Sequence, residues 1–89
     1  MKSLRDPDFN KLFACLPPHV QELARKAYRQ WQQDRWHPSL RFKPAGDSVW
    51  SARVTKGYRA LAEEQSDGTF LWYWIGSHNA YDKRLREKR

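Results

Sequence analysis

Phe70-Leu71-Trp72-Tyr73-Trp74-Ile75 is the stretch that decides the fold, an unbroken apolar and aromatic run closed by Gly76-Ser77-His78. It is far too short to cross a bilayer. Aromatic and β-branched residues in a run of this length read as a strand. Alternation sends Phe70, Trp72 and Trp74 to one face and Leu71, Tyr73 and Ile75 to the other. A strand apolar on both faces needs cover on both. Working outward, Ser66-Asp67-Gly68 is a turn, and residues 58–63 before it read as a second strand. Lys56-Gly57 then separates that strand from a third at 49–54. These are turn chemistries for consecutive antiparallel hairpins. Pro38 and the cluster Pro44-Ala45-Gly46-Asp47-Ser48 punctuate the chain before them. Leu40 with Phe42, and residues 2–5, are candidates for short additional strands.

The first half has the helical period instead. Asp6 followed by Pro7 is a cap and first-turn pair, and Asp8 adds negative charge where the helix dipole favours it. Phe9, Leu12, Phe13 and Leu16 follow at helical spacing until Pro17-Pro18. Val20, Leu23, Ala24, Ala27, Tyr28 and Trp31 then mark one continuous face, with Arg25, Lys26 and Arg29 opposite. Two helices joined at a Pro-Pro corner make a helical hairpin. The expected fold is therefore α+β, a single domain over 1–89. It has a helical hairpin at about 7–35, an antiparallel sheet of three to five strands at about 40–76, and a short basic tail at 77–89 with one helical turn. Trp31, Tyr28 and Leu23 are expected between the second helix and the sheet. One hairpin covers one face of so small a sheet. The other face is left to a binding surface, to a partner chain, or to the C-terminal tail folded back.

Composition narrows the class. A chain of 89 residues buries only about 60 % of its unfolded surface, so a core must be dense in large apolar side chains. Five Trp, four Tyr and four Phe supply that density and exclude disorder. The single cysteine, Cys15, excludes an internal disulfide framework and suits a reducing cytoplasm. It lies beside the apolar stripe of the first helix and reads as a packing residue. One Cys and three scattered His lack the spacing of a zinc site. The N-terminal residues lack the apolar stretch of a signal peptide. Seventeen Lys and Arg against ten Asp and Glu leave a net charge of +7. Such a surplus on a small domain is the electrostatic footprint of a phosphate- or carboxylate-rich partner. No segment is a basic amphipathic helix of the membrane-surface kind.

Familiar catalytic signatures are missing: there is no phosphate loop, nucleophile elbow or suggestive carboxylate pair. His19 reads as a surface or capping residue, and His37, before Pro38, has no evident partner. The strands hold a better set. Arg53 is out of phase with Trp50, Ala52 and Val54. Arg59 follows across the Thr55-Lys56-Gly57 connection, and His78 and Tyr81 come directly after the last strand. If the register aligns them, two guanidiniums, an imidazole and a phenol converge on one end of the sheet. Arginine pairs bidentately with phosphate oxygens, and His and Tyr can transfer protons. The set suits metal-free cleavage of an RNA phosphodiester. Each residue also has a plainer reading, as a charged sheet face, a turn residue or an anchor.

The strings Trp50-Ser51-Ala52-Arg53-Val54, Gly57-Tyr58-Arg59-Ala60-Leu61 and Trp74-Ile75-Gly76-Ser77-His78, with Tyr81-Asp82 beyond, resemble the RelE/ParE superfamily of type II toxin–antitoxin toxins. The order of elements resembles it too, over about residues 2–85. The resemblance implies a cytoplasmic toxin without a cofactor, neutralised by a cognate antitoxin protein. RelE-like members are ribosome-dependent, metal-independent mRNA endoribonucleases; ParE-like members inhibit DNA gyrase, and a toxin-fold binding protein without activity is a third outcome. The RelE-type pattern would place catalytic roles on Arg59, Arg53, His78 and Tyr81. RNA contacts would fall on Lys56, Arg53, Arg59, Lys83 and Arg84. One departure is Ser51, where a RelE-type enzyme offers a further lysine; Lys56 in the adjoining turn is the candidate substitute.

Overall fold

The computed structural model describes residues 2–87, with the side chain of Glu87 left aside. Strand β1 (Ser3–Arg5) leads through Asp6 into helix α1 (Pro7–Ala14). The Asp6 carboxylate accepts from the Asp8 amide at 2.6 Å, which satisfies one of the donors a helix start leaves free. Helix α2 (Pro18–Gln33) starts on the second proline of the corner, where a missing N–H costs nothing. A 3₁₀ turn (Pro38–Leu40) and strand β2 (Lys43–Gly46) follow. The meander β3 (Val49–Thr55), β4 (Tyr58–Glu64) and β5 (Phe70–Ser77) is next, then helix α3 (His78–Glu87). The sheet order is β1-β5-β4-β3-β2.

The α+β hairpin-on-sheet architecture is as expected, but the expectation of an antiparallel sheet is corrected at one edge: the sheet is mixed. β2 to β5 pair antiparallel, whereas β1 runs parallel to β5, with Ser3 opposite Phe70 and Arg5 opposite Trp72. The helical hairpin lies between β1 and the meander, and such a crossover is what permits a parallel pair.

The core lies between the hairpin and the sheet. Trp31 is 2 % exposed and meets Phe42, Phe70 and Trp72 edge-on at ring distances of 5.8, 5.5 and 5.3 Å. Tyr28 stacks beside it, half-buried. Leu23 corrects the expectation: it is 42 % exposed, at the solvent margin of the helical face. Cys15 does not pack either; it is exposed and ends α1 with its amide directed to the Leu12 and Phe13 carbonyls.

The alternation expected for the apolar strand fails at one residue. Leu61 pairs with Trp74 but Ala62 pairs with Trp72, so Tyr73 is the extra residue of a β-bulge. The bulge flips the phase. Phe70, Trp72 and Ile75 join the hairpin-side core, while Trp74 turns to the opposite face with Leu61. There Tyr81 of α3 closes a second small cluster with Leu61 and Trp74. The C-terminal segment therefore folds back as a helix of 10 residues rather than one turn. Within this chain, both faces of β5 have cover.

Candidate functional site

The end of the sheet where β3 turns into β4 carries the candidate residues. Arg53 lies directly opposite Arg59, and Arg59 directly opposite Gly76. Directly opposed residues share a face, so the register puts both arginines on the α3 side of the sheet, and Arg53 also borders a cavity between the hairpin and the sheet. No carboxylate pairs with either among the described residues. Like charges directly opposite one another cost stability, and an anion between them would remove that cost.

Arg59 has a second commitment. Its Nη1 donates to the carbonyl oxygens of Thr55 at 2.8 Å and Tyr58 at 3.0 Å, and more distantly to that of Lys56 at 3.4 Å. The guanidinium thus ties the β3–β4 turn, on a residue paired in register with Arg53. Lys56 is exposed at the tip of that turn.

His78 opens α3, and its amide donates to Gly57 O at 2.8 Å, which fastens the helix start to the same turn. Its exposed ring lies 3.6 Å from a carboxylate oxygen of Asp82, one helical turn on. Ser77 Oγ accepts from the Ala80 amide at 3.2 Å, capping the helix beside the arginines. A helix start carries partial positive charge, so Arg53, Arg59 and this terminus add with the same sign.

Gly76 explains how α3 can begin here. A Cβ at this position would lie 2.8 Å and 2.9 Å from ring atoms of Trp74, whose indole folds over it. The glycine therefore permits the Trp74 ring to lie flat under α3. Tyr81 rests against that ring at 6.4 Å between centroids and is 8 % exposed; its own ring is 6.0 Å from that of His78. Tyr81 is thus a packing residue that flanks the imidazole.

The other sequence candidates separate from this cluster. Lys83 is exposed, two residues beyond the inward-facing Tyr81 and so about 200° around the helix. Arg84 turns back over the Tyr73 ring, 5.5 Å from its centroid. Burial pushes the Tyr73 phenol above its usual pKa, and the Arg84 charge opposes that. Ser51 is 2 % exposed and pairs with Leu61. A lysine there would be buried rather than presented, so the position is a core position in this chain. His19 is exposed, and His37 caps the 3₁₀ turn by accepting from the Ser39 amide at 3.2 Å. Asp82 and Gly76 entered the sequence reading only as parts of the resembling strings, without a role of their own. The i,i+4 spacing of His78 and Asp82 was a signal for the first, but the steric role of Gly76 depends on a rotamer no pattern encodes.

A mixed sheet with a helical hairpin on one face, and a cationic end built from a strand turn and a helix start, defines a small α+β domain with one anion-attracting end. A family model described as a ParE-like toxin domain matches residues 18–83, from the start of α2 into α3, and the chain belongs to this family within the RelE/ParE superfamily. Three solved structures share the fold. The RelB-RelE antitoxin–toxin complex from Methanococcus jannaschii is 15 % identical over 91 % of this chain and 96 % of that one, at a TM-score of 0.71. The RelBE2 toxin–antitoxin complex from Mycobacterium tuberculosis is 16 % identical over 86 % and 90 %, at 0.68. The isolated E. coli RelE toxin is 12 % identical over 99 % and 98 %, at 0.63. No curated protein matches the sequence.

Proposed function

We propose that this protein is the toxin of a toxin–antitoxin pair and acts as a ribosome-dependent endoribonuclease on mRNA. The observation that carries the reading is the unneutralised Arg53–Arg59 pair beside His78 at the start of α3. Two complexes among the similar structures are named as toxin with antitoxin, which supports an antitoxin partner. The net charge of +7 suits an acidic one.

In the proposed step, the 2′-hydroxyl attacks the adjacent phosphorus and the bond to the 5′-oxygen breaks, leaving a 2′,3′-cyclic phosphate and a 5′-hydroxyl. Arg53, with the outer edge of Arg59, holds the non-bridging oxygens and offsets charge that builds in the pentacoordinate transition state. Preorganised donors of this kind are worth about 10²–10³-fold in rate each in other systems. His78 accepts the proton of the 2′-hydroxyl or returns one to the leaving oxygen, worth roughly 10²–10⁴-fold. Asp82 and Tyr81 orient its ring. The ribosome supplies the alignment of attacking and leaving oxygens that three side chains cannot fix, which is a large term in such reactions.

The test is primer extension on a reporter message in a translating cell-free extract, comparing wild type with Arg53→Ala and His78→Ala. Cuts within translated codons that disappear in both variants are expected. Arg59→Ala is read only alongside its circular dichroism, because Arg59 also holds the turn.

A second reading, inhibition of DNA gyrase, is favoured by a specific observation: Arg59 and Tyr81 both serve the fold, which thins the catalytic set. Intact message together with trapped gyrase–DNA cleavage complexes would select it.

A further inference from the structure

Trp36 stands apart from the other tryptophans. It is 58 % exposed, in the segment between α2 and the 3₁₀ turn. The other exposed large apolar residues among those described lie elsewhere, Leu4 on the opposite edge strand β1 and Leu23 in the first half of α2. A lone exposed indole is not the contiguous apolar patch of a protein interface, but one ring is enough to stack one base. The chain around it is fixed. An Asp34 carboxylate oxygen accepts from the Trp36 amide at 3.1 Å, and the His37 ring caps the 3₁₀ turn that follows. Phe42 and Trp50 meet the Trp36 ring at 5.8 and 6.0 Å, tilted by 54° and 60°, so neither lies flat on it. Trp50 is itself held, with Nε1 donating to Glu64 at 3.1 Å. The Arg35 guanidinium lies over the Trp36 ring, 5.1 Å from its centroid. Indole and guanidinium planes are both surfaces on which unpaired bases stack.

A line of cations joins this ring to the β3–β4 end. β2 pairs with β3 from Val49 to Ser51, and the 3₁₀ turn packs against β3 as well. The register that sets Lys43 opposite Ser51 carries Arg41, two residues earlier, toward the level of Arg53. Arg41 is exposed and has no ion pair among the described residues. Cations therefore run from the Arg53–Arg59 pair, past Arg41 at the sheet edge, to Arg35 over the indole. Trp50, which touches Trp36, is three residues from Arg53 along β3, about 10 Å. A single strand at about 3.4 Å per stacked nucleotide covers that distance in about three nucleotides.

We propose that Trp36 is a stacking platform for a base of single-stranded RNA, about three nucleotides along the strand from the phosphate held at Arg53. The inference rests on the endoribonuclease reading and adds to it a contact outside the reacting phosphate. The RNA backbone follows Arg41 around the sheet edge, and one unpaired base lies against the indole and its guanidinium. Every base has a π-face, so the contact holds the strand without selecting its sequence.

The experiment is a titration of the full chain, with ¹⁵N-labelled tryptophan, by 2′-O-methyl hexauridylate, whose blocked 2′-oxygen cannot attack the phosphate. A saturable shift of the Trp36 indole signal is expected, with those of the buried Trp31 and Trp72 unmoved. Annealing the oligonucleotide to its complement should remove the Trp36 shift, because paired bases are no longer free to stack. Trp36→Leu should weaken binding about five- to hundredfold, and Trp36→Phe should restore most of it. Arg41→Gln should lower the slope of log affinity against log salt by about 0.7. Equal affinity for wild type and Trp36→Leu, a Trp36 shift that survives in the duplex, binding that leaves the Trp36 signal in place, or no saturation by about 5 mM would each overturn the proposal. Loss of a co-expressed antitoxin in Trp36→Leu, with the oligonucleotide still bound, would make the ring a protein contact instead. The two readings fail separately: stacking at Trp36 with intact message in the translating extract would remove the nuclease and leave this site. Message cleavage by a chain whose Trp36 never meets the oligonucleotide would do the reverse.

Discussion

Truncating Trp31 to alanine should remove a large share of this domain's stability. The side chain is 2 % exposed and touches four aromatic rings, three of them edge-on. Removing a buried Trp costs about 3–5 kcal/mol, made of lost transfer energy and the cavity left behind. The ring pairs, each worth about 0.5–1.5 kcal/mol, overlap with that burial and are not added to it. A chain of 89 residues at about 0.05–0.15 kcal/mol per residue holds about 4–13 kcal/mol in all. Urea unfolding should show a midpoint lowered by about a fifth or more of its value with the m-value unchanged. At about 4–8 °C per kcal/mol for a domain of this size, Tm should fall by at least about 12 °C. Trp31→Phe distinguishes the cause. It shrinks the ring but also removes an unsatisfied buried N–H, whose cost is about 1–3 kcal/mol, so the two terms oppose and the net loss should stay under about 2 kcal/mol. Trp36→Ala, at an exposed ring, should fall within about 1 kcal/mol of wild type. A Trp31→Ala loss below about 1 kcal/mol, or Trp31→Phe as damaging as Trp31→Ala, would refute this account of the core.

Gly76→Ala should destabilise by about 1–3 kcal/mol through its clash with the Trp74 ring; in urea unfolding, Trp74→Leu in the same chain should relieve most of that loss. Arg53→Glu should raise stability by about 0.2–1 kcal/mol by ending the like-charge cross-strand pair, with a gain that shrinks in high salt, while it removes message cleavage. Asp67 accepts from the Thr69 amide at 2.9 Å, and that hydrogen bond holds its carboxyl below the ordinary pKa. A carboxylate depressed in the folded state adds stability above its unfolded pKa, near 3.9, and that stability is lost as pH falls through the folded value. Acid unfolding of Asp67→Ala should therefore lack this increment of wild type, and identical acid profiles would contradict it.

How much of this was legible follows from what each pattern encodes. The 3.6-residue period of Val20, Ala24 and Trp31 marks α2 because one helical face is buried as a unit. The same pattern overreaches at Leu23, because a face has margins and periodicity carries no information about its width. The strands of the meander lie where alternation and turn residues put them, and Arg53 does fall opposite Arg59. The parallel β1 was out of reach, because the direction of an edge strand depends on where a long crossover returns the chain. The length of α3 was hidden for another reason. Its exposed face is charged, and its apolar face is little more than Tyr81 and Leu85, so the tail looks polar throughout.

The core and the candidate site both depend on the bulge at Tyr73. An uninterrupted β5 would aim Trp74 and Gly76 at the hairpin, in phase with Phe70 and Trp72. The α3 face would then hold Ile75 and Ser77, and no glycine would lie beside Arg59. The extra residue changes the parity. It lets one strand contribute Phe70 and Trp72 to the main core and Trp74 to the smaller one. It also brings Gly76 level with Arg59, directly before the helix that carries His78. The doubly apolar sequence is then explained without a partner chain, since each face meets its own helical layer. An acidic antitoxin consequently has no bare strand to cover. The proposed antitoxin would instead meet charge, as at the exposed Lys56 and the half-buried arginine pair of the β3–β4 end.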